Sequence, residues 1–462
     1  MYEIQDANSE IEQLKEKLAK KNLRIAHLEE DRDKLRNKVY ILENSGIRRK
    51  TINFIRRKFG RKTQEENIEG HVKKEDLNKQ ETGKINKKNF LQEMPPCQEG
   101  PETILFMCTN GAGLGHLTRS LAIAKRIQKI DSKKQIVFLT TSIAISTVSA
   151  QGFQAFHIPP RNLLNNIDAS QWGGLLKRQL IELFALYNIK TVVFDGAFPY
   201  AQFIQTVSSY EGVTKVWVKR GGEKAGTEDE RKKKEELFDY LIIPGESGAD
   251  LPADDEKHYF VNPIVYIDDD ELLDKESVRK LFKVPEKSKL VYVQLGAGNI
   301  NDIESDLGKV LSMLKQHEDI MVVLGESIIS LKSMNVFDEQ IYIIKDYPNS
   351  KYFKGFDFVI SACGYNSYQE LSYIGVPTIY LPNMECKTDD QYGRAIKAEK
   401  AGAAIVLTEL DDNAMANAIE LMLNCETNQK MKEAAEKLKV ENGAERAAQI
   451  LSDMKINDID LL

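Results

Sequence analysis

Apolar positions recur every seven residues along the first forty. Ile4, Ile11, Leu18, Ile25, Arg32 and Val39 occupy one seam, and Ala7, Leu14, Lys21, Leu28, Leu35 and Leu42 the other. Heptads with charged flanks predict a coiled coil over residues 1–45. β-branched residues on one seam and leucines on the other favour a parallel dimer, with Lys21 and Arg32 as polar register positions. A single amphipathic helix folded onto the body would carry the same pattern. From residue 102 the pattern changes to short apolar runs, among them ILFMCT, QIVFLTT, TVVFDG, LVYVQLG, IMVVLG and FVISACG. Helical stretches such as LTRSLAIAKRIQKI lie between several of them. That alternation predicts parallel sheets in an α/β fold.

Between these regions, IRRKTINFIRRKFGRK (47–62) carries eight Lys+Arg and no acid, with Ile52, Ile55 and Phe59 on one helical face. It suits either an anionic membrane surface or a solvated extension of the coiled coil. Residues 63–100 read as a polar tether, so 46–100 is taken as basic segment and linker. Two glycine turns, near residues 111 and 296, predict two α/β units, 101–267 and 268–462. Asp268, Asp269 and Asp270 fall in the polar connection, where a metal-binding role is not expected.

Charge divides along the same lines. Residues 1–100 carry net +5 and residues 101–462 net −11. The acidic body argues against nucleic acid as a partner. Five scattered cysteines in a chain of 462 residues show no metal-site spacing, so reduced thiols are expected. There is no apolar run long enough to span a bilayer and no signal core at the N-terminus. The expected location is the cytoplasm, with the inner face of the cell membrane as the peripheral alternative.

The chemistry gathers at strand–turn–helix junctions. In ILFMCTNGAGLGHLTR, Gly111, Gly113 and Gly115 allow close backbone approach before a helix N-terminus, and His116 follows directly. A histidine there suits proton abstraction from a hydroxyl. Asp195 ends the strand of TVVFDG and is placed to orient His116, to bind an acceptor or to cap a turn. Lys219 and Arg220, after VWV, are candidate phosphate or acceptor contacts. In the second unit, Gly296, Gly298 and Asn299 repeat the glycine turn. Tyr347 lies in IYIIKDYPNS, and Gly364, Tyr365, Asn366 and Ser367 open a helix with Glu370 one turn further on. Ser367-x-x-Glu370 also reads as a helix capping box. After a Gly-Val-Pro break come Asp390 and Gln391, which would also serve as a polar cap before a helix.

SACGYNSYQELSYIGVPTIYLPNMECKTDDQ (361–391) resembles the donor-binding signature of the UDP-dependent glycosyltransferases of GT-B fold. GAGLGHLTR resembles the first loop of the bacterial peptidoglycan N-acetylglucosaminyltransferase branch. The resemblance covers roughly residues 102–425 and implies two Rossmann-like doubly wound domains across a cleft, with the last helices crossing back. It implies an inverting, metal-independent hexosyl transfer from a UDP-sugar to a hydroxyl, with no cofactor. His116 would be the base and Asp195 its partner. Gly296, Gly298 and Asn299, and the turn at Gly364, would meet the diphosphate. Tyr347 would border the uracil, Glu370 would hold the ribose, and Asp390 and Gln391 would read the sugar. Many plant members carry a phosphate-binding histidine where this chain has Ala362, which sets it nearer the bacterial branch. The coiled coil and basic segment point to a glycan or lipid-linked acceptor of cell-surface polysaccharide, and to a homodimer or a biosynthetic partner. Two other readings stay open: a UDP-sugar hydrolase of the pseudaminic acid pathway type, which the Gly-His-x-x-Arg pattern also resembles, and a non-catalytic coiled-coil partner of another glycosyltransferase.

Overall fold

A computed structural model describes residues 100–109, 113–164, 167–220, 228–296, 304–330, 338–384 and 389–454. The expected coiled coil, the basic segment and most of the linker lie outside the described residues, as do Gly111, Gly298 and Asn299.

The first sheet is built from β1 (Thr103–Cys108), β2 (Gln135–Thr140), β3 (Gln154–His157), β4 (Ile189–Asp195), β5 (Thr214–Val218), β6 (Tyr240–Pro244) and β7 (His258–Val261). Its order is β3-β2-β1-β4-β5-β6-β7, and every pairing is parallel. The connecting helices are α1 (Gly115–Ile130), α2 (Ile145–Ala150), α3 (Ala169–Leu186), α4 (Ala201–Val207) and α5 (Glu228–Glu235). β1 reads as a continuous apolar run because both its faces are covered. Ile104, Phe106 and Cys108 enter the core beside α1, while Leu105 and Met107 enter the core beside α3.

The second sheet repeats the plan. After α6 (Lys275–Leu281) come β8 (Lys289–Gln294), α7 (Glu304–Leu314), β9 (Ile320–Gly325), β10 (Ile341–Ile344), β11 (Phe358–Ser361), α8 (Tyr365–Ile374), β12 (Thr378–Tyr380), α9 (Gln391–Lys400) and β13 (Ala404–Val406). The order β10-β9-β8-β11-β12-β13 is again parallel throughout. In each sheet the strand order reverses beside the first strand, at β1/β4 and at β8/β11, and ligands of open parallel sheets bind outside the carboxyl ends at that point. Both halves are therefore Rossmann-like, and each brings one such point to the site.

The chain ends in α10 (Asp412–Leu423), α11 (Cys425–Lys437) and α12 (Gly443–Asp453). α12 leaves the second half and packs on the first. Ala444, Ala447, Ala448 and Leu451, spaced three and four apart, join the core containing Leu117 and Leu121 of α1. Asn442 fixes its entry, with Oδ1 accepting from Ala444 N and Val265 N and Nδ2 donating to Val265 O at 2.9 Å. Gly443 is required there, because a Cβ would lie 1.9 Å from the carbonyl oxygen of Asn262.

Two acids of the Asp268–Asp270 triplet work as structural glue. Asp268 accepts from the fully buried Arg126 and from Lys129, and Asp269 pairs with Lys439. The connection between the halves is thereby tied to α1.

Candidate active site

The carboxyl edges of the two sheets face each other. Asn366, at the start of α8, donates from Nδ2 to the carbonyl of Gly115, at the start of α1, at 3.3 Å. Tyr347, just past β10, donates its hydroxyl to Thr118 Oγ1 at 3.0 Å. Tyr365 donates to Gly245 O at 2.7 Å, and Gln369 Oε1 accepts from both N and Oγ of Ser247. Each of these contacts joins a segment beyond a strand's carboxyl end to one in the other half.

On the first half, Cys108 at the end of β1 is register partner to Asp195 at the end of β4. The β1–α1 turn returns His116 to that point, and its Nδ1 lies 2.7 Å from Asp195 Oδ1. Asp195 has no solvent exposure, while the His116 side chain keeps 22%. The pair is thus a buried carboxylate behind a partly open imidazole. With Nδ1–H donated to Asp195, Nε2 is the nitrogen left to take a proton. Burial alone would raise the Asp195 carboxyl, but the Arg119 guanidinium and hydrogen bonds from His116 and Arg119 hold it below the usual range.

On the second half, α8 starts at Tyr365 with Gly364 as its N-cap, and no side chain caps it. Leu114 before α1 likewise gives no side-chain cap, whereas Asp168, Asp390, Asp411 and Asn442 cap α3, α9, α10 and α12. The first amides of both helices are thus left to whatever lies before them, with the positive dipole end behind them. Because Gly364 is the cap, Ser367 sits inside the helix, and the capping-box reading of Ser367 and Glu370 does not hold. Burial raises the Glu370 carboxyl from 4.5 to about 7, with Ser350 pulling the other way. α8 ends in a left-handed Gly375 (φ 79°), a glycine C-cap, and Pro377 follows shortly after.

The other sequence candidates are held by their neighbours. Asp390 caps α9 through a 3.0 Å bond from Gly393 N, and Gln391 Oε1 accepts from Asn383 N at 3.0 Å. Tyr347 packs against Tyr266 with ring centroids 5.2 Å apart. Lys219 pairs with Glu235 at 2.7 Å. Arg220 pairs with Asp389 at 3.3 Å. Gly113 and Gly296 flank the undescribed parts of their turns. Among the described residues, no group of three or more His, Cys, Asp or Glu side chains could hold a metal ion.

Three charged residues carried no site role in the sequence analysis, although Arg119 is the arginine of the Gly-His-x-x-Arg pattern. Arg119 grips Asp195, and Arg394, 2% exposed, donates to Asp389 through both terminal nitrogens. Glu246, beyond β6, pairs with Lys397 at 2.9 Å and lies 3.8 Å from Arg394. The guanidinium carbons of Arg119, Arg220 and Arg394 all lie 5.7–5.8 Å from the centre of the Tyr365 ring. One signal was available for the first: Arg119 stands one helical turn after His116.

Two Rossmann-like halves in one body, meeting at their switch points, define the GT-B fold. Comparisons agree. Residues 290–448 match the family model described as "Glycosyltransferase family 28 C-terminal domain". Over 378 residues the chain is 24% identical to the UDP-N-acetylglucosamine--N-acetylmuramyl-(pentapeptide) pyrophosphoryl-undecaprenol N-acetylglucosamine transferase of Acetivibrio thermocellus, covering 76% of this chain and 98% of that one. It is 26% identical over 168 residues to the same-named enzyme of Bacillus subtilis, covering 35% of this chain and 46% of that one. Among solved structures it is similar to Acinetobacter baumannii MurG, with TM-score 0.51, 15% identity, and 77% and 100% coverage. The calicheamicin glycosyltransferase CalG4 gives TM-score 0.54 at 14% identity, covering 77% and 98%. The chain has the GT-B fold, and its second half resembles the C-terminal domain of glycosyltransferase family 28.

Proposed function

We propose that this protein transfers a sugar from a UDP-sugar to a hydroxyl of a lipid-linked glycan, with inversion and without a metal ion. The observation that carries the reading is the His116–Asp195 pair, 2.7 Å apart and joined through the Asn366–Gly115 contact to the uncapped start of α8. The diphosphate lies against the α8 amides, whose dipole takes up charge as UDP leaves. Glu370 accepts the ribose hydroxyls, and Asp390 and Gln391 meet the sugar with the hydrogen-bonding capacity their structural bonds leave. His116 Nε2 removes the acceptor proton as the glycosidic bond forms on the opposite face, so an α-linked donor gives a β-linked product.

UDP-N-acetylglucosamine leads the candidate donors, because it is the donor in the relatives' names. The acceptor assignment rests on the same names and on the basic segment. No described helix is long and apolar enough to cross a membrane, and work at the inner membrane face is part of the proposal.

The test is UDP release from a panel of UDP-sugars, with and without membrane extract, by the full chain and by His116→Ala. Extract-dependent release, lost by a factor of about 10²–10⁴ in the variant, is expected. Release without extract that also needs His116 would make the protein a hydrolase. UDP binding with no turnover would leave a non-catalytic partner.

A further inference from the structure

If Asp195 served only to aim His116, its second oxygen would need no more than neutral donors. Instead it meets a buried cation. Arg119, 2% exposed, donates from Nε to Oδ2 at 3.0 Å and from Nη2 to Oδ1, the oxygen that also faces His116. Ser120 adds a bond from Oγ to Oδ2 at 3.2 Å. His116, Arg119 and Ser120 are three and four residues apart on α1, so one helical face closes on a single carboxylate. Arg119 Nη2 also lies 3.2 Å from His116 Nδ1.

A guanidinium cannot be deprotonated in this range and has no acceptor site. Nδ1 therefore has a partner able to accept its proton only in Asp195, which leaves Nε2 as the free base, and the Arg119 fork on both carboxylate oxygens holds that acceptor in place. We infer that Arg119 is a positioning residue for the transfer reaction, holding the His116–Asp195 pair in its proton-accepting form. The inference rests on the function proposed above, which assigns His116 as the base.

Other groups around the pair do not substitute for it. Cys108, on β1, has a buried thiol pushed far above its ordinary range by burial and then by Asp195, so it carries no charge. Tyr365, on α8, is likewise kept protonated by burial. Arg220 pairs with Asp389, and Arg394 with Asp389 and Glu246. Arg119 is thus the cation that meets Asp195 among the described residues, and its place beside Tyr365 links the base to the first residue of α8.

The experiment reads the proton's position directly as well as through turnover. In the full chain, the ring nitrogen shifts of His116, assigned by their loss in His116→Ala, show by NMR which nitrogen of the neutral ring carries the proton in the parent, Arg119→Gln and Arg119→Lys, and kcat and KM are measured alongside. The parent is expected to carry it on Nδ1, and both variants, which cannot fork onto both carboxylate oxygens, are expected to mix the two tautomers while kcat falls about tenfold at unchanged donor KM. An unmixed Nδ1–H tautomer in a folded Arg119→Gln chain overturns the inference. Should that variant not fold, Arg119→Lys decides, and an unaltered tautomer and kcat overturn it. If no UDP-sugar turns over in the parent, the proposed function fails, while the nitrogen shifts still judge Arg119.

Discussion

Replacing Glu370 by glutamine should stabilise the free protein and weaken its grip on the nucleoside, each with a defined pH dependence. The native carboxyl holds its proton up to about pH 7, against 4.5 for the ordinary side chain, because burial penalises the charged form. Its contribution to stability is therefore full below pH 4.5 and is lost as pH rises through about 7. A shift of that size corresponds to at most about 3 kcal/mol, since the partly exposed side chain keeps some solvent screening. Glutamine has no such titration. The difference in unfolding free energy between Glu370→Gln and the parent should grow in favour of the variant between pH 4.5 and 8, as denaturant midpoints at several pH values will show. Ligand binding runs the other way. On the proposed function, Glu370 must be ionised to accept two ribose hydroxyls, so the parent would release a proton on binding near neutrality. Uridine, which has no phosphate to titrate in this range, should bind about tenfold more weakly at pH 6 than at pH 8. Proton release should appear in calorimetry run in buffers of different ionisation enthalpy. Glu370→Gln should bind on the order of 10²-fold more weakly and without pH dependence, two charge-assisted bonds having been exchanged for poorer ones. Parallel stability curves for the two proteins, or uridine affinity flat across pH 6–8 in the parent, would refute the reasoning.

Gly443→Ala puts a Cβ into the Asn262 carbonyl at the entry to α12. A loss of about 1–3 kcal/mol by denaturant unfolding is expected, with earlier proteolysis of the last helix. Gly375→Ala forces a left-handed φ of 79° on a side chain that would also meet Glu436, costing about 1–2 kcal/mol in thermal unfolding. Tyr347→Phe removes the hydroxyl bond to Thr118 between the halves. It should cost about 1 kcal/mol while leaving the packing on Tyr266 in place, and calorimetry will measure it.

The fold was legible where it depends on local pattern. Buried parallel strands announce themselves as unbroken apolar runs, as TILFMC does in β1, and glycine turns mark where each strand feeds a helix. The stop at Gly375 likewise follows from a left-handed φ of 79° that glycine alone meets cheaply. The Ser367–Glu370 spacing misled, because a capping box and one turn of helix interior have the same sequence form. The structure separated them by placing Gly364 at the cap.

The electrostatics of the site were not legible, for a physical reason. Arg119, Arg220 and Arg394 come from three separate segments and meet around one tyrosine ring, so no spacing along the chain relates them. Their acids are just as scattered: Asp195 ends a strand of the first half, Glu246 follows another, and Asp389 precedes a helix of the second. In sequence Arg394, Glu246 and Asp389 look like ordinary surface charges, yet Arg394, like Arg119, is almost fully buried. Charges that far from water persist only when paired and hydrogen-bonded. Arg220–Asp389 and Arg394–Glu246 pair across the two halves, so those partners exist only when the halves are docked. Arg119 has Asp195 in its own half and touches the other half through Tyr365. Docking therefore completes the ion pairs around Tyr365 and sets that ring beside Arg119. On the proposed function, the same docking brings the His116–Asp195 pair and the start of α8 together, and neither half carries the whole arrangement alone.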